Sequence, residues 1–216
     1  MQLEFENFLK SVLEYSPLVI FGERGVGKSA LLLALARFLV EYLNYRVFMI
    51  VREELSSVPK GIKLICAYED VSLDEYSNLL RETLLEVLDE INKNGVTKPN
   101  VAILIDDIVP RDALIKHTGS MEMEKKISKF LLLGKIFSEV LGCVFIVTTI
   151  ENVYQGRPFW FKYYLKFGFN FLRIERISRV RKICLAKFED GKYTNKECIN
   201  LLLAGRSFTS LKRNPQ

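Results

Sequence analysis

G-E-R-G-V-G-K-S, residues 22–29, is the strongest pattern in this chain of 216 residues. It fits the G-x-x-x-x-G-K-[ST] pattern of a phosphate-binding loop, and it lies directly between the apolar runs 17–21 and 30–40. A strand, a glycine-rich turn and a helix in this order let main-chain N–H groups and the positive end of the helix dipole surround phosphate oxygens. The sequence therefore predicts a nucleotide-binding site at this loop.

Each position of the loop has an expected role. Lys28 is expected to reach the β- and γ-phosphates of a nucleotide, and the hydroxyl of Ser29 is expected to bind the Mg2+ that bridges them. The expected nucleotide contacts are Gly22, Glu23, Arg24, Gly25, Val26, Gly27, Lys28, Ser29 and Ala30.

The composition indicates a globular chain with an ample core, since 49% of the residues are hydrophobic. The longest apolar stretch, residues 30–40, contains Arg37 and is too short for a membrane span, and the start M-Q-L-E-F-E-N lacks the positive charge of a secretory signal. We therefore expect a cytoplasmic protein. The cysteines show no C-x-x-C spacing, so we expect reduced thiols rather than disulfides or a zinc site; they are Cys66, Cys143, Cys184 and Cys198.

The positive charge is concentrated in one part of the chain. Residues 157–187 contain nine basic side chains and one acid, a balance of +8 in a chain whose net charge is +5. This asymmetry indicates an anionic partner for the last third of the chain. Gln is rare while Lys, Glu and Ile are frequent, a composition that is compatible with a thermophile and does not identify the source.

Apolar strands alternate with amphipathic helices from residue 18 to residue 150. Predicted strands follow the first one at residues 46–51, 62–67, 101–105 and 143–149. Ser72 and Glu75 form a capping-box pattern that starts a helix over 72–94, and Gly95 follows it. This alternation predicts a parallel sheet covered on both faces.

The two ends of the chain differ from this regular alternation. An N-terminal helix is predicted within residues 1–16, ahead of a nucleotide-binding core over 17–204 and a tail over 205–216. Residues 169–174 and 182–188 are predicted strands, and Asp190-Gly191 is a hairpin signal. We therefore expect an antiparallel extension at the end of the sheet.

Asp106 is the second candidate for the metal site. It follows the apolar run I-L-I at the end of the strand 101–105. A carboxylate at the carboxyl end of a buried parallel strand lies on the side of the sheet where nucleotides bind, so Asp106 is expected to hold Mg2+ together with Ser29. Asp107 follows it directly.

From residue 18 to about residue 203, the order of motifs resembles the ATPase core of the RecA/RadA recombinase superfamily, and most of all an archaeal RadA paralogue, with the KaiC-like branch as a neighbour. The resemblance rests on the phosphate loop, V-F-M-I-V-R-E-E, I-L-I-D-D, C-V-F-I-V-T-T and the basic strands that follow. It implies a RecA-like P-loop NTPase fold of the α/β class, ATP and Mg2+ as cofactors, slow ATP hydrolysis, and an accessory role in homologous recombination and DNA repair, with recombinase or other repair proteins as partners.

The resemblance leaves two candidates for the group that orients the attacking water. In RecA-type ATPases a glutamate ends the strand after the P-loop helix, and in the KaiC-like branch it belongs to an adjacent pair such as Glu53-Glu54. Asp106-Asp107 instead parallels the Asp-Glu pair of AAA+ ATPases. We favour Glu53 and Glu54, because the carboxyl ends of neighbouring strands converge on one crevice.

The resemblance also implies a site for single-stranded DNA on the loops after two strands, residues 109–120 and 151–160. The residues expected to contact DNA are Arg111, Lys116, His117, Arg157 and Trp160. The segment F-W-F-K-Y-Y-L-K-F-G-F-N-F, residues 159–171, has a composition that suits base stacking, although such aromatic residues are also typical of a core.

The chain departs from the recombinases at several positions. F-E-N-F near the start lacks the alanine of the Phe-x-x-Ala polymerisation motif, so we expect no long filaments. Ile150-Glu151 stands where recombinases place a sensor glutamine. A basic residue that reaches a neighbouring subunit's nucleotide would be Arg179, Arg181 or Lys182. The alternatives are a KaiC-like or AAA-like ATPase that acts on a protein partner, and a module that binds ATP without hydrolysing it.

Overall fold

The computed structural model describes residues 2–51, 60–66, 72–95, 98–108, 121–152, 154–189, 192–204 and 207–210. The helices are α1 (Gln2–Leu13), α2 (Lys28–Leu43), α3 (Leu73–Asn94), α4 (Met121–Lys135), which continues as a π-helical turn (Ile136–Val140), and α5 (Phe161–Lys166). The strands are β1 (Leu18–Gly22), β2 (Arg46–Val51), β3 (Ile62–Cys66), β4 (Val101–Ile105), β5 (Val144–Asn152), β6 (Arg157–Pro158), β7 (Asn170–Ile177), β8 (Val180–Glu189), β9 (Lys192–Ala204) and β10 (Ser207–Ser210).

The described strands form one mixed sheet in the order β10-β9-β8-β7-β1-β5-β4-β2-β3, and β6 pairs with β5. The strands from β3 to β7 in this order are parallel, while β7, β8, β9 and β10 pair antiparallel. The structure therefore confirms the predicted α/β class with a mostly parallel central sheet and an antiparallel extension. The extension is larger than predicted, because β9 begins with the polar run K-Y-T-N-K-E, which lacks the pattern of a buried strand.

Each face of the sheet carries its own hydrophobic core. On one face, Leu31 and Leu35 of α2 pack with Ile20 of β1, and α1 belongs to the same core. On the other face, Tyr76 of α3 and Phe130 of α4 pack together as an edge-to-face aromatic pair. The predicted coverage of both faces by helices is confirmed. Among the helices of the described residues, none is long and apolar enough to span a lipid bilayer.

Helix α3 begins and ends at the residues that its sequence predicts. The Ser72 hydroxyl accepts the N–H of Glu75, and the Glu75 carboxylate accepts the N–H of Ser72, which completes the capping box. The hydrogen bond from the Ser72 N–H is the main reason why the pKa of Glu75 lies below its usual value. At the other end Gly95 adopts φ +63°, a left-handed conformation that suits glycine after a helix.

The aromatic segment 159–171 lies mainly in the core. Tyr164 is fully buried, and Phe161 packs edge-to-face on Phe188 with 4.5 Å between ring centroids. Trp160 is 7% exposed, so its ring is not available for stacking on a base, and the expectation that it contacts DNA is corrected on this ground. Trp160 directly precedes α5, a short helix whose aromatic side chains pack against β7 and β8. Burial of these rings removes apolar surface from water, which stabilises the fold.

A disulfide joins Cys184 of β8 to Cys198 of β9, contrary to the expectation of reduced thiols. The two residues are direct partners in the antiparallel register, with 4.1 Å between their Cα atoms. Their proximity follows from strand register and not from a spacing motif. Cys143 is a free thiol, and its burial raises its pKa to about 12.

Candidate nucleotide-binding site

The phosphate loop joins β1 to α2 through glycines in left-handed conformations, with φ +75° at Gly25 and +109° at Gly27. A Cβ atom on Gly27 would lie 3.0 Å from Leu203 and 3.1 Å from Phe208, so β9 and β10 pack closely on the loop. Gly27 is the N-cap of α2, and no described side chain caps this helix. The first N–H groups of α2 therefore remain available for an anion.

Lys28 is folded back onto its own loop. Its Nζ donates to the carbonyl oxygens of Gly22 at 3.0 Å and Glu23 at 2.8 Å, and the residue is 8% exposed. Burial lowers the pKa of Lys28, although the carboxylates of Asp107, Asp106 and Glu151 oppose this shift. A buried ammonium with main-chain carbonyls as its ligands can exchange them for phosphate oxygens, which carry full charge.

The side chain of Ser29 lies near the carboxylate of Asp106 and favours its charged form. Thr148 of β5 donates a hydrogen bond to this carboxylate, with 2.7 Å between its Oγ1 and Asp106 Oδ1. The same Oγ1 accepts the N–H of Asp107 at 2.7 Å. Strands β1, β4 and β5 are adjacent, so their carboxyl ends bring these groups together at one edge of the sheet.

The environment of Asp106 fits a divalent cation. Desolvation raises the pKa of this carboxyl, while the nearby Ser29 side chain and the hydrogen bond from Thr148 favour the charged form. A hard cation such as Mg2+ prefers carboxylate and hydroxyl oxygens, and its charge would compensate for the desolvation of Asp106. Ser29 and Asp106 thus form a suitable donor pair, next to a loop whose Gly25 has an open face with no heavy atom within 4 Å of a Cβ position.

Several residues predicted for this site lie outside the described residues. These are Glu53, Glu54, Arg111, Lys116 and His117. Asp107 is described, adopts φ +50°, and is the carboxylate that acts most strongly on Lys28. Arg157 is described as well, and its guanidinium lies 5.1 Å from the ring centroids of both Phe161 and Phe188.

Glu151 and Arg173 belong to the surroundings of the site, although their contact was not expected from the sequence. The side chain of Glu151 is 7% exposed and forms an ion pair with Arg173 of β7, with 2.6 Å between Oε1 and Nη2. Arg173 also contacts Glu175 at 2.5 Å. The position of Glu151 after a predicted strand indicated that its carboxylate could lie near the site. Its partner Arg173 could not be predicted, because their contact depends on the pairing of β1 with both β5 and β7.

The loop, the Ser29–Asp106 contact and the strand order define the fold of a RecA-like P-loop NTPase. Solved structures support this class. One similar structure is described as an ATPase domain, with a TM-score of 0.59, 13% identity, and coverage of 90% of this chain and 84% of that chain. Another is a DnaB-like replicative helicase studied with primase, with the same TM-score and identity, of which this chain spans 58%.

These similarities confirm the predicted RecA-like fold. At 13% identity they show the fold alone and carry no activity or partner over to this chain. No protein-family model matches the chain. A comparison with curated proteins also gives no match.

Proposed function

We propose that this chain is a Mg2+-dependent ATPase. The position of the Asp106 carboxylate near Ser29 and the buried ammonium of Lys28 supports this proposal most directly. In P-loop NTPases, a serine and an aspartate in these positions hold the metal and the lysine holds the phosphates. ATP is proposed rather than GTP because the order of motifs resembles ATPases of the RecA/RadA superfamily and the sequence contains no N-K-x-D guanine motif.

Each residue at the site has a proposed role in binding the nucleotide and the metal. Lys28 would leave the carbonyl oxygens of Gly22 and Glu23 for the β- and γ-phosphates, whose charge favours its ammonium form. Ser29 and Asp106 would hold Mg2+, and Thr148 would keep the Asp106 carboxylate oriented and ionised. Mg2+, when bound, neutralises the negative charge that develops on the phosphate oxygens during transfer.

Glu53, Glu54 and Asp107 are the proposed candidates for orienting the attacking water. Glu53 and Glu54 follow β2, which pairs with β4, so the chain after β2 starts at the edge of the sheet where Asp106 lies. Asp107 is placed near Lys28 by its own strand end. The three carboxylates can be separated by mutation, because each isosteric amide removes one base without removing the metal ligand.

The first experiment is steady-state hydrolysis of ATP with Mg2+ by the wild type, Lys28→Ala and the exposed control Lys129→Ala. We expect hydrolysis by the wild type and Lys129→Ala and none by Lys28→Ala. Glu53→Gln, Glu54→Gln and Asp107→Asn then identify the base, since loss of the base costs a factor of about 100 to 10,000 in kcat. Tight ATP binding by the wild type with no hydrolysis would replace this proposal with a nucleotide-dependent binding module.

We propose single-stranded DNA as the partner. The hairpin formed by β5 and β6 belongs to the segment that the RecA/RadA resemblance assigns to DNA, and Tyr154 at its tip is 99% exposed. Exposed basic side chains follow in the same part of the chain, at the turn between β7 and β8 and on α5; they are Lys162, Lys166, Arg176 and Arg179. An exposed aromatic ring and exposed cations in the same segment of the chain suit stacking on bases and contact with phosphates.

Fluorescence anisotropy with labelled oligo-dT tests this partner. We expect binding that weakens as salt increases, and an affinity for Tyr154→Ala about fivefold to 150-fold lower, because stacking on one base contributes about 1–3 kcal/mol. Tyr42→Ala is a matched control, since Tyr42 is 56% exposed on α2. No binding, or binding that does not respond to salt, would favour a protein partner and leave the ATPase proposal intact.

The role in homologous recombination and DNA repair rests on the resemblance of the motif order to RadA paralogues. It predicts that hydrolysis by this chain rises when single-stranded DNA is added. Hydrolysis that is indifferent to DNA and lost in Asp107→Asn would instead indicate an AAA-like or KaiC-like ATPase that acts on proteins.

A further inference from the structure

Strands from the C-terminal half of the chain contact the main chain of the phosphate loop. A Cβ atom on Gly22 would lie 2.3 Å from the carbonyl oxygen of Ile174 in β7, so no side chain fits between the loop and this strand. Strands β9 and β10 pack on Gly27, as described above. The third contact is polar: Arg181 of β8 donates from Nε to the carbonyl oxygen of Val26 at 2.9 Å.

Arg181 is a buried cation. It is 8% exposed, and burial lowers its pKa, with Arg176 as a further cause. Arg176 is its partner across the β7–β8 pair, so the closest cross-strand neighbour carries the same charge. Within the part of the chain that the structure describes, Arg181 forms no ion pair with a carboxylate, and its other hydrogen bond goes to the carbonyl oxygen of Val180 at 3.4 Å.

This arrangement favours an anion at the loop. A buried charge without a counter-ion is unfavourable, so a bound triphosphate next to the loop would supply the missing negative charge. The carbonyl of Val26 and the N–H of Gly27 also belong to one peptide group. A guanidinium on the oxygen polarises this group and makes the N–H a stronger donor, as in other chains of hydrogen bonds in a low-dielectric interior.

We infer that Arg181 is a positioning residue for phosphate binding, which acts in its own subunit through the Val26–Gly27 peptide of the loop. This corrects its inclusion among the groups that would reach a neighbouring subunit's nucleotide, because its Nε is already bound to the loop of the same chain. Arg179 and Lys182 stay candidates for that role. Because the role of Arg181 rests on the proposed function, its test must separate the two.

The test measures the affinities of Mg-ATP and of inorganic tripolyphosphate for the wild type, Arg181→Met and Arg181→Lys. Arg81→Met is the control, since Arg81 is an exposed arginine on α3 and has no proposed role at the nucleotide site. We expect Arg181→Met to weaken both ligands by the same factor, about tenfold, because a hydrogen bond to a charged group is lost. Arg181→Lys keeps the charge, and its affinity should fall about threefold, whereas Arg81→Met should match the wild type.

Two further readouts separate this role from simple support of the fold. In hydrolysis assays Arg181→Met should raise KM about tenfold and change kcat by less than about twofold, since binding is affected and chemistry is not. Guanidinium ion in solution should restore the ATP affinity of Arg181→Ala, and it should not change that of Lys28→Ala. A purely structural residue would show neither effect.

The outcomes are distinct. The inference about Arg181 is overturned if Arg181→Met and Arg181→Lys both bind ATP with an affinity within about twofold of the wild type. The ATPase proposal stands in that case. If Arg181→Met does not fold, Arg181→Lys decides by the same comparison. If the wild type binds no ATP, or Lys28→Ala binds it equally well, the proposed function fails and the role of Arg181 fails with it.

Discussion

Replacing Thr148 with valine tests the network that orients Asp106, the proposed metal ligand. Valine keeps the β-branched shape and loses the hydrogen bonds of Oγ1 to the Asp106 carboxylate and to the Asp107 N–H, both at 2.7 Å. A hydrogen bond to a charged group contributes about 1.5–3 kcal/mol and a neutral one about 0.5–1.5 kcal/mol. We therefore expect Thr148→Val to lower the free energy of unfolding by about 2–4 kcal/mol at neutral pH.

The pH dependence of this loss has a definite sign. Desolvation raises the pKa of Asp106 in the folded protein, and the hydrogen bond from Thr148 opposes this. Above the raised pKa the carboxylate is charged and the hydroxyl stabilises it. Below it the carboxyl is protonated, so the charge-assisted part of the bond disappears. The penalty of Thr148→Val is therefore largest at neutral pH and shrinks as the pH falls through the raised pKa of Asp106.

Urea unfolding of the nucleotide-free protein at about pH 7.5 and about pH 5 measures both effects. Thr148→Ser is the control, since it keeps the hydroxyl and loses only a methyl group. The Mg2+ concentration that half-saturates ATP binding should also rise in Thr148→Val and not in Thr148→Ser. A valine variant as stable as the serine variant at about pH 7.5, with unchanged Mg2+ dependence, would refute the view that Thr148 holds Asp106 in place.

Other predictions follow from the same structure. Asp106→Asn removes a desolvated charge, so the urea midpoint of the nucleotide-free protein should rise at neutral pH while Mg2+-dependent ATP binding is lost; a lower midpoint would contradict this. Gly134→Ala places a Cβ atom 2.4 Å from the Phe145 ring, and it should lower the free energy of unfolding by about 1–3 kcal/mol in urea titrations; equal stability would show that the ring moves freely. Burial raises the pKa of Cys143 to about 12. In a Cys66→Ser variant, iodoacetamide should therefore label Cys143 slowly in the folded protein and rapidly in urea. Fast labelling of the folded protein would mean that Cys143 is an accessible thiolate.

The parts of the structure that the sequence predicted well depend on signals that are close together along the chain. The capping box of α3 and Gly95 at its end occupy one helix, and the phosphate loop with its flanking strand and helix occupies one short segment. The placement of Asp106 beside Ser29 required only that both follow parallel strands, since parallel strands end at the same edge of the sheet.

The features that could not be predicted depend on pairings between distant segments. Cys184 and Cys198 meet because β8 and β9 pair in one register, and a shift by one residue would turn their side chains to opposite faces. The aromatic composition around Trp160 is equally typical of a hydrophobic core and of a DNA-binding surface. The burial of Trp160 therefore depends on how α5 packs, which the composition does not predict. Arg181 contacts Val26, which lies 155 positions earlier in the sequence, and no sequence motif predicts this contact.

The strand order suggests why these distant contacts matter for the site. Strand β1 delivers the phosphate loop between two different halves of the sheet, with β5 on one side and β7 on the other. Asp106, the proposed metal ligand, and its partner Thr148 come from the parallel half, whereas the side chains that contact the loop, such as Arg181, come from the antiparallel half. Substitutions in the parallel half should therefore act mainly on Mg2+ dependence and kcat, and those in the antiparallel half mainly on KM. The Thr148 and Arg181 variants test this division directly, because each changes one half and leaves the other intact.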